Sequence, residues 1–316
     1  MPIQLPEPFC YRTPAADSCE NCSETGSPQS PRCDQGKGES VQDTTSRPNS
    51  ALAASKVADR SDPIAGAPPA STRNVLLWEN TRKEFRELLE GGDLQAVILP
   101  VGSTEQHNEH LAMIQDTASA TLLAQRAALL LYPRVLVATP VSVGISPHWM
   151  DRKGTLTLRK ETFLAVVFEI CESLWVHGVK RILILNGHGG NVVPLQEAVG
   201  GFREKLEIDI RFHSYWEAYT PEIIEQYMES KRAPGHAAEF ETSFALAAFP
   251  ERVRWAGVDY DAVKSTLGIR DPDSAAEEEQ FAKEARLATA AKGEAMIAIA
   301  VEWVAERVSQ MMPAES

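Results

Sequence analysis

Glu105, His107 and Asp116 follow one short apolar run of the chain, and His188 follows another. Carboxylates and imidazoles together are the ligand types of zinc, manganese and iron. An aspartate able to bridge two ions also suits a two-metal site that activates water. The first apolar run is Ala96–Val101, continued by Gly102-Ser-Thr-Glu-Gln-His107. Glu105 and His107 are two residues apart, so in an extended segment they point the same way. The second run is Arg181–Leu185, continued by Asn186-Gly-His-Gly-Gly-Asn191. Glycines around His188 leave its ring uncovered, and at Gly189 and Gly190 they let a ligand approach the backbone closely. Asp116 opens the helix that follows the first motif, where the helix dipole favours a carboxylate.

A third motif, Gly235-His-Ala-Ala-Glu-Phe-Glu-Thr-Ser243, offers one histidine and two more carboxylates at a helix start. Glu241 shares a helical face with Phe244 and Ala245, and a carboxylate on an apolar face needs a partner such as a metal or a histidine. It is therefore preferred over Glu239, which is placed on a more polar side near Thr242 and Ser243. A fourth element is Gly144-Ile-Ser-Pro-His-Trp149 with Gly154-Thr-Leu-Thr157. His148 and Trp149 are candidates to line a pocket above the metals, and Trp149 equally suits a core or a subunit interface. Taken singly, each of these residues reads as a cap or a surface group. The combination of two strand-end motifs points to a metal. A phosphate cradle is the rival for the glycine loop, but the Lys and Ser/Thr of a P-loop are missing. The strand-end motifs also lack an Arg or Lys to hold a phosphate ester.

The elements that must position these groups alternate. Strands are expected at 96–101, 134–138, 181–185 and 209–213. Helices are expected at 81–90, 117–131, 160–177, 192–206, 221–231, 237–248 and over much of 274–311. Alternation of this kind implies an α/β fold, a mainly parallel sheet between two helix layers. Ligands of such sheets bind beyond the carboxyl ends of the strands. Residues 1–73 hold ten of the 20 prolines with many Ser, Thr, Asp and Gly, and are expected to be a disordered extension ahead of a single domain over 74–316. Cys10, Cys19, Cys22 and Cys33 lie in that extension and read as incidental thiols, although Cys19 and Cys22 have the spacing of half a zinc site. A net charge of −13 argues against a nucleic-acid surface. No apolar run is long enough to span a bilayer, and the first residues lack a signal-peptide pattern, so a cytoplasmic protein is expected.

Order and spacing of these pieces resemble the creatininase family, the creatinine amidohydrolases, over residues from about 75 to 255. The matching pieces are Val101–His107 with His110 and Asp116, the Gly154-Thr turn, Asn186–Asn191 and His236–Ser243. The resemblance implies a three-layer α/β/α fold, a pair of divalent ions and hydrolysis of a small amide or cyclic amide by a homo-oligomer, often a hexamer. By position, Glu105, His107, Asp116 and His188 match the family's metal ligands with Asp116 as the bridge. His236 matches the histidine that protonates the leaving nitrogen. Creatininases proper carry a metal-binding glutamate two residues after the Asn-Gly-His histidine, where this chain has Gly190. Glu241 then becomes the candidate replacement ligand, and creatinine itself ceases to be the expected substrate. Relatives with the glycine form include formamide hydrolases of flavin and deazaflavin biosynthesis and a peptidase that matures a redox peptide. The chain also reads Asn108-Glu-His110 where many members read Gly-Pro-His. The expected chemistry is hydrolysis of a non-peptide, cyclic or terminal amide C–N bond by metal-activated water. The reading from a different class is a non-catalytic metal-binding structural protein on the same fold.

Overall fold

The computed structural model describes residues 74–259 and 272–313. The expected extension over 1–73, with its four cysteines, lies outside the described residues. Four strands form one parallel sheet: β1 (Ala96–Val101), β2 (Val135–Val137), β3 (Arg181–Asn186) and β4 (Asp209–Ser214), in the order β2-β1-β3-β4. β1 and β3 are almost entirely apolar and buried, as strands covered on both faces must be. Parallel neighbours cannot be joined by hairpins, so helices carry the crossovers. Helix α1 (Arg82–Glu90) precedes the sheet, α2 (Gln115–Leu130), α3 (Lys160–Val176) and α4 (Val192–Leu206) are the crossovers, and α5 (Pro221–Tyr227), α6 (Glu239–Ala248), α7 (Pro272–Ala285) and α8 (Ala290–Ser309) follow the last strand.

The register settles which side chains meet which layer. Ala96 pairs with Val135, and Ile98 with Val137 and Leu183. These residues and Leu185 pack against Leu123 and Ala127 of α2, Phe240 and Phe244 of α6, and Met296, Ala300 and Val304 of α8. The alternate residues Val97, Leu99, Leu136, Ile182 and Ile184 face the other way, onto Phe163, Val167 and Phe168 of α3 and Leu195 and Phe202 of α4. Two helix layers thus enclose one sheet, the expected three-layer α/β/α arrangement. Among the described residues no helix is long and apolar enough to cross a membrane.

From β1 the chain moves to one side of the sheet, then returns past β1 to β3 and onward to β4. The crossovers diverge between β1 and β3, and that divergence opens a crevice at the carboxyl ends of these two strands. Both strand-end motifs empty into it. Element bounds differ from the expected ones mostly by one or two residues, and by four at α5, which ends at Tyr227 rather than at 231. Helix α2 starts at Gln115, which puts Asp116 in its first turn. Helix α6 starts at Glu239 rather than Ala237, because Gly235 and Ala237 hold positive φ values of 66° and 48°. The C-terminal helical stretch is broken between Ala285 and Ala290.

Candidate metal centre

Glu105 and His107 reach the crevice from the loop after β1, Asp116 from the first turn of α2, His188 from the loop after β3, and Glu241 from α6. Their ligand atoms fall into two groups of three: Glu105, Asp116 and His188, and His107, Asp116 and Glu241. Within each group the atoms lie within 4.8 Å of one another, and Asp116 belongs to both. Its Oδ2 is 3.0 Å from His188 Nδ1 and its Oδ1 is 3.0 Å from His107 Nε2. Glu105 Oε1 lies 3.3 Å from His188 Nδ1, and Glu241 Oε2 lies 3.6 Å from His107 Nε2. All five residues are buried. Glu105 Oε2 is without a hydrogen-bond donor, and Asp116 Oδ2 has only the His188 nitrogen beside it, a costly state for buried carboxylates unless a cation is shared between them. The donor set therefore fits a pair of divalent ions, with oxygen and nitrogen ligands suited to zinc, manganese or iron.

The far nitrogen of each histidine is committed to a backbone carbonyl. His107 Nδ1 lies 3.1 Å from the Glu105 carbonyl, and His188 Nε2 lies 3.0 Å from the Ile145 carbonyl, with the Ser146 hydroxyl 3.2 Å away. A carbonyl only accepts, so each ring donates there and turns its other nitrogen to the carboxylates, the usual outer support of a metal-bound histidine. That inner nitrogen either carries a second proton or shares its lone pair with a cation. Burial alone would lower both imidazoles, but the neighbouring carboxylates outweigh it. Asp116, with Glu241 and Glu105, lifts His107 to about 10. Hydrogen bonds and charge from Asp116 and Glu105 lift His188 to about 10. Burial and the neighbouring Asp116 raise Glu241 to about 8, against the pull of His107 and the Ala237 N–H.

The two carboxylates of the third motif part company. Glu241 accepts the Ala237 N–H at 2.6 Å and faces His107. Glu239 is also fully buried rather than on a polar side, but it faces away. It accepts from the Glu229 and Ser230 N–H groups and from Lys292 of α8.

The two departures from the family pattern have local explanations. A Cβ on Gly190 would stand 2.0 Å from the Ile145 carbonyl oxygen and 2.5 Å from His188 Nε2. The Ile145 carbonyl that orients His188 occupies the space where a side chain would start. Asn108 holds a φ of 52°, a left-handed conformation that glycine and asparagine both tolerate.

A cavity of about 410 Å³ opens over the ligands, lined by His148, Trp149, Gly189, Gly190 and His236 among others. Gly187 and Gly190 leave its floor without side chains. Pro147–Trp149 is a short 3-10 turn that brings His148 to the rim, its ring parallel to that of His188 at 6.3 Å. Trp149 stacks on His236 at 4.8 Å, and Arg152 lies over the Trp149 ring while pairing with Glu278 of α7 at 2.7 Å. Phe281 of α7 comes within 6.0 Å of His236. Sequence reasoning missed Trp216, Pro234 and the contribution of α7. Trp216 follows β4, so the strand-end rule would have found it. For Phe281 there was no sequence signal. Among the described residues no Arg or Lys lines the cavity.

Residues 78–308 match the family model described as creatinine amidohydrolase. A 3-dehydro-scyllo-inosose hydrolase of Thermotoga maritima is 32% identical over 54% of this chain, and the chain aligns with only 55% of that relative's length. A mycofactocin precursor peptide peptidase of Mycobacterium tuberculosis is 29% identical over 69% of this chain and 86% of its own. A solved structure, "Creatininase Mn", superposes with a TM-score of 0.64 at 25% identity, covering 76% of this chain and 99% of that one.

Proposed function

The chain belongs to the creatininase family, and from that premise we propose that it is a metal-dependent hydrolase of a small-molecule amide, cutting a non-peptide, cyclic or terminal C–N bond. The observation that carries the reading is the pair of donor groups sharing Asp116 beneath one cavity. Glu105, Asp116 and His188 would hold one divalent ion, and His107, Asp116 and Glu241 the other. Such a pair, when bound, lets water act as a strong nucleophile near neutral pH and polarises a carbonyl. The three carboxylates would hold such ions in place, and the ions would supply positive charge where the oxyanion of the transition state develops. Gly189 and Gly190 give the substrate a floor without side chains, Trp149 walls it and holds out water, and His148 faces it from the rim. His236 is the polar group left for the scissile amide. A homo-oligomer in the cytoplasm completes the reading.

The mycobacterial relative, a precursor peptide peptidase, favours one second reading, hydrolysis of a peptide bond. Both readings share the same machinery and differ in what fills the cavity. The test is a hydrolysis screen of metal-loaded protein against creatinine, formylated aminopyrimidines and short peptides, with released amine as the readout. Asp116→Ala is expected to lose bound metal, measured by elemental analysis, and to lower turnover by about 10³-fold or more, as the electrostatic core of such a site is removed. A variant that kept its metal and its rate would sink the bridging assignment. Stoichiometric metal without turnover on any amide would instead favour a structural metal-binding protein.

A further inference from the structure

Gln106 stands between two ligands of the candidate metal centre, yet it is in neither donor group and does not line the cavity. Its side chain is buried and both ends of the amide are engaged. Oε1 accepts the Asn108 N–H at 2.9 Å, and Nε2 lies 2.8 Å from His236 Nε2. A backbone N–H can only donate, so the oxygen end of the amide is fixed toward Asn108. The end facing His236 is then the –NH2, which also can only donate. His236 Nε2 must be the acceptor, and the ring's own proton must sit on Nδ1.

The location of that proton decides what His236 does. Its Nδ1 faces the centre, 3.7 Å from Glu105 Oε1, and the ring is held between Trp149 at 4.8 Å and His107 at 4.5 Å. By distance alone, Glu105, His107 and His236 form a third group able to hold an ion. A protonated nitrogen cannot ligate a cation. We infer that Gln106 is a positioning residue that locks His236 in its Nδ1–H tautomer, keeping it out of the metal set and making it a neutral hydrogen-bond donor to the substrate rather than a source of a proton. The tautomer rests on hydrogen-bond directions alone, and the substrate rests on the hydrolase reading above.

The proton count agrees. A neutral ring that released its Nδ1 proton would become an imidazolate, and a second proton has no place at Nε2 while Gln106 donates there. The Nδ1–H stays on the ring and polarises the amide oxygen or the departing nitrogen, a role neutral imidazoles fill in other enzymes. In the overall hydrolysis the oxygen of water joins the carbonyl carbon and the C–N bond breaks. Both protons of that water end on the departing nitrogen, giving a carboxylate and an ammonium, and His236 is unchanged.

The direct test is ¹⁵N NMR of the zinc-loaded protein labelled at histidine. Wild type is expected to show His236 protonated at Nδ1 with a bare Nε2. Gln106→Glu places an acceptor at both ends, so the tautomer should reverse and kcat should fall about 100-fold, the usual effect of losing one donor to a developing oxyanion. KM should move far less. Gln106→Leu removes the lock without reversing it, so it should show mixed tautomers and a smaller loss. His236→Asn keeps a neutral N–H near the Nδ1 position and should remain at least about tenfold more active than His236→Ala, whereas loss of a true proton donor would leave both equally poor. A wild-type His236 protonated at Nε2 overturns the inference. So does equal inactivity of His236→Asn and His236→Ala. Absence of turnover in wild type itself would mark the failure of the hydrolase reading, and the wild-type spectrum would still decide the tautomer.

Discussion

At His188 the two ring nitrogens face opposite kinds of partner. Nε2 gives its proton to the Ile145 carbonyl, and Nδ1 meets Asp116 and Glu105. Gly190 makes this possible, since a Cβ there would collide with that same carbonyl. Gly190→Ala should therefore push the 144–149 loop away and release His188. Overpacking against a backbone group costs about 1–3 kcal/mol, and the expected result is a loss of that size in urea unfolding together with reduced bound metal. Unchanged stability and full metal would mean that the loop shifts freely and does not hold the ring. The presence of a histidine among glycines was legible in the sequence. Its acceptor, 43 residues away in the chain, was not, because a carbonyl has no side-chain signature.

Helix α6 does the sorting of Glu239 and Glu241. Two residues apart on a helix lie about 200° apart around the axis, so one carboxylate faces the crevice and the other faces α8. The apolar neighbours of Glu241 pointed to it in advance. Lys292, the partner that accounts for Glu239, lies 53 residues downstream and carried no local sign. Burial alone would raise Glu239, but the Lys292 ammonium and the Ser230 and Glu229 N–H groups hold its carboxyl below the usual 4.5. A lowered carboxyl adds stability that is fully present above its unfolded value and fades as pH falls through the folded one. Glu239→Gln should thus cost about 1–2 kcal/mol at neutral pH, the worth of a charge-assisted hydrogen bond. The gap to wild type should stay constant above about pH 5 and close below the usual carboxyl value. Denaturant unfolding at pH 7, 5 and 3.5 checks this, and a gap that persisted at the lowest pH would show that packing, not charge, holds α6 to α8.

Over the whole molecule, the site is a meeting of four distant segments at the carboxyl ends of the two central strands. The segment after β1, running into α2, supplies Glu105, His107 and Asp116, the loop after β3 supplies His188, α6 supplies Glu241, and α7 reaches Arg152 and His236. A cation pair would tie these segments together and relieve the mutual repulsion of three buried carboxylates. Removal of metal by a chelator should therefore lower the melting temperature as well as activity. At an ion concentration about 1,000 times Kd the linkage is about 4 kcal/mol, and a domain of this size shifts by about 2–4 °C per kcal/mol. Calorimetry before and after dialysis against chelator, with recovery on adding zinc or manganese, measures it. Identical melting curves would show that nothing in the fold depends on the ions.

The sequence by itself determined the strand and helix alternation, the parallel sheet and which side chains are candidates to bind a metal. Those follow from local apolar periodicity and from side-chain type, which any segment displays on its own. The tertiary structure decided the rest: that Glu239 is buried against Lys292, that the Ile145 carbonyl holds His188, and which nitrogen of each histidine turns to the carboxylates. These are questions of direction between groups far apart in the chain. They are answered only where carbonyls, amides and carboxylates from different strands come within hydrogen-bond reach.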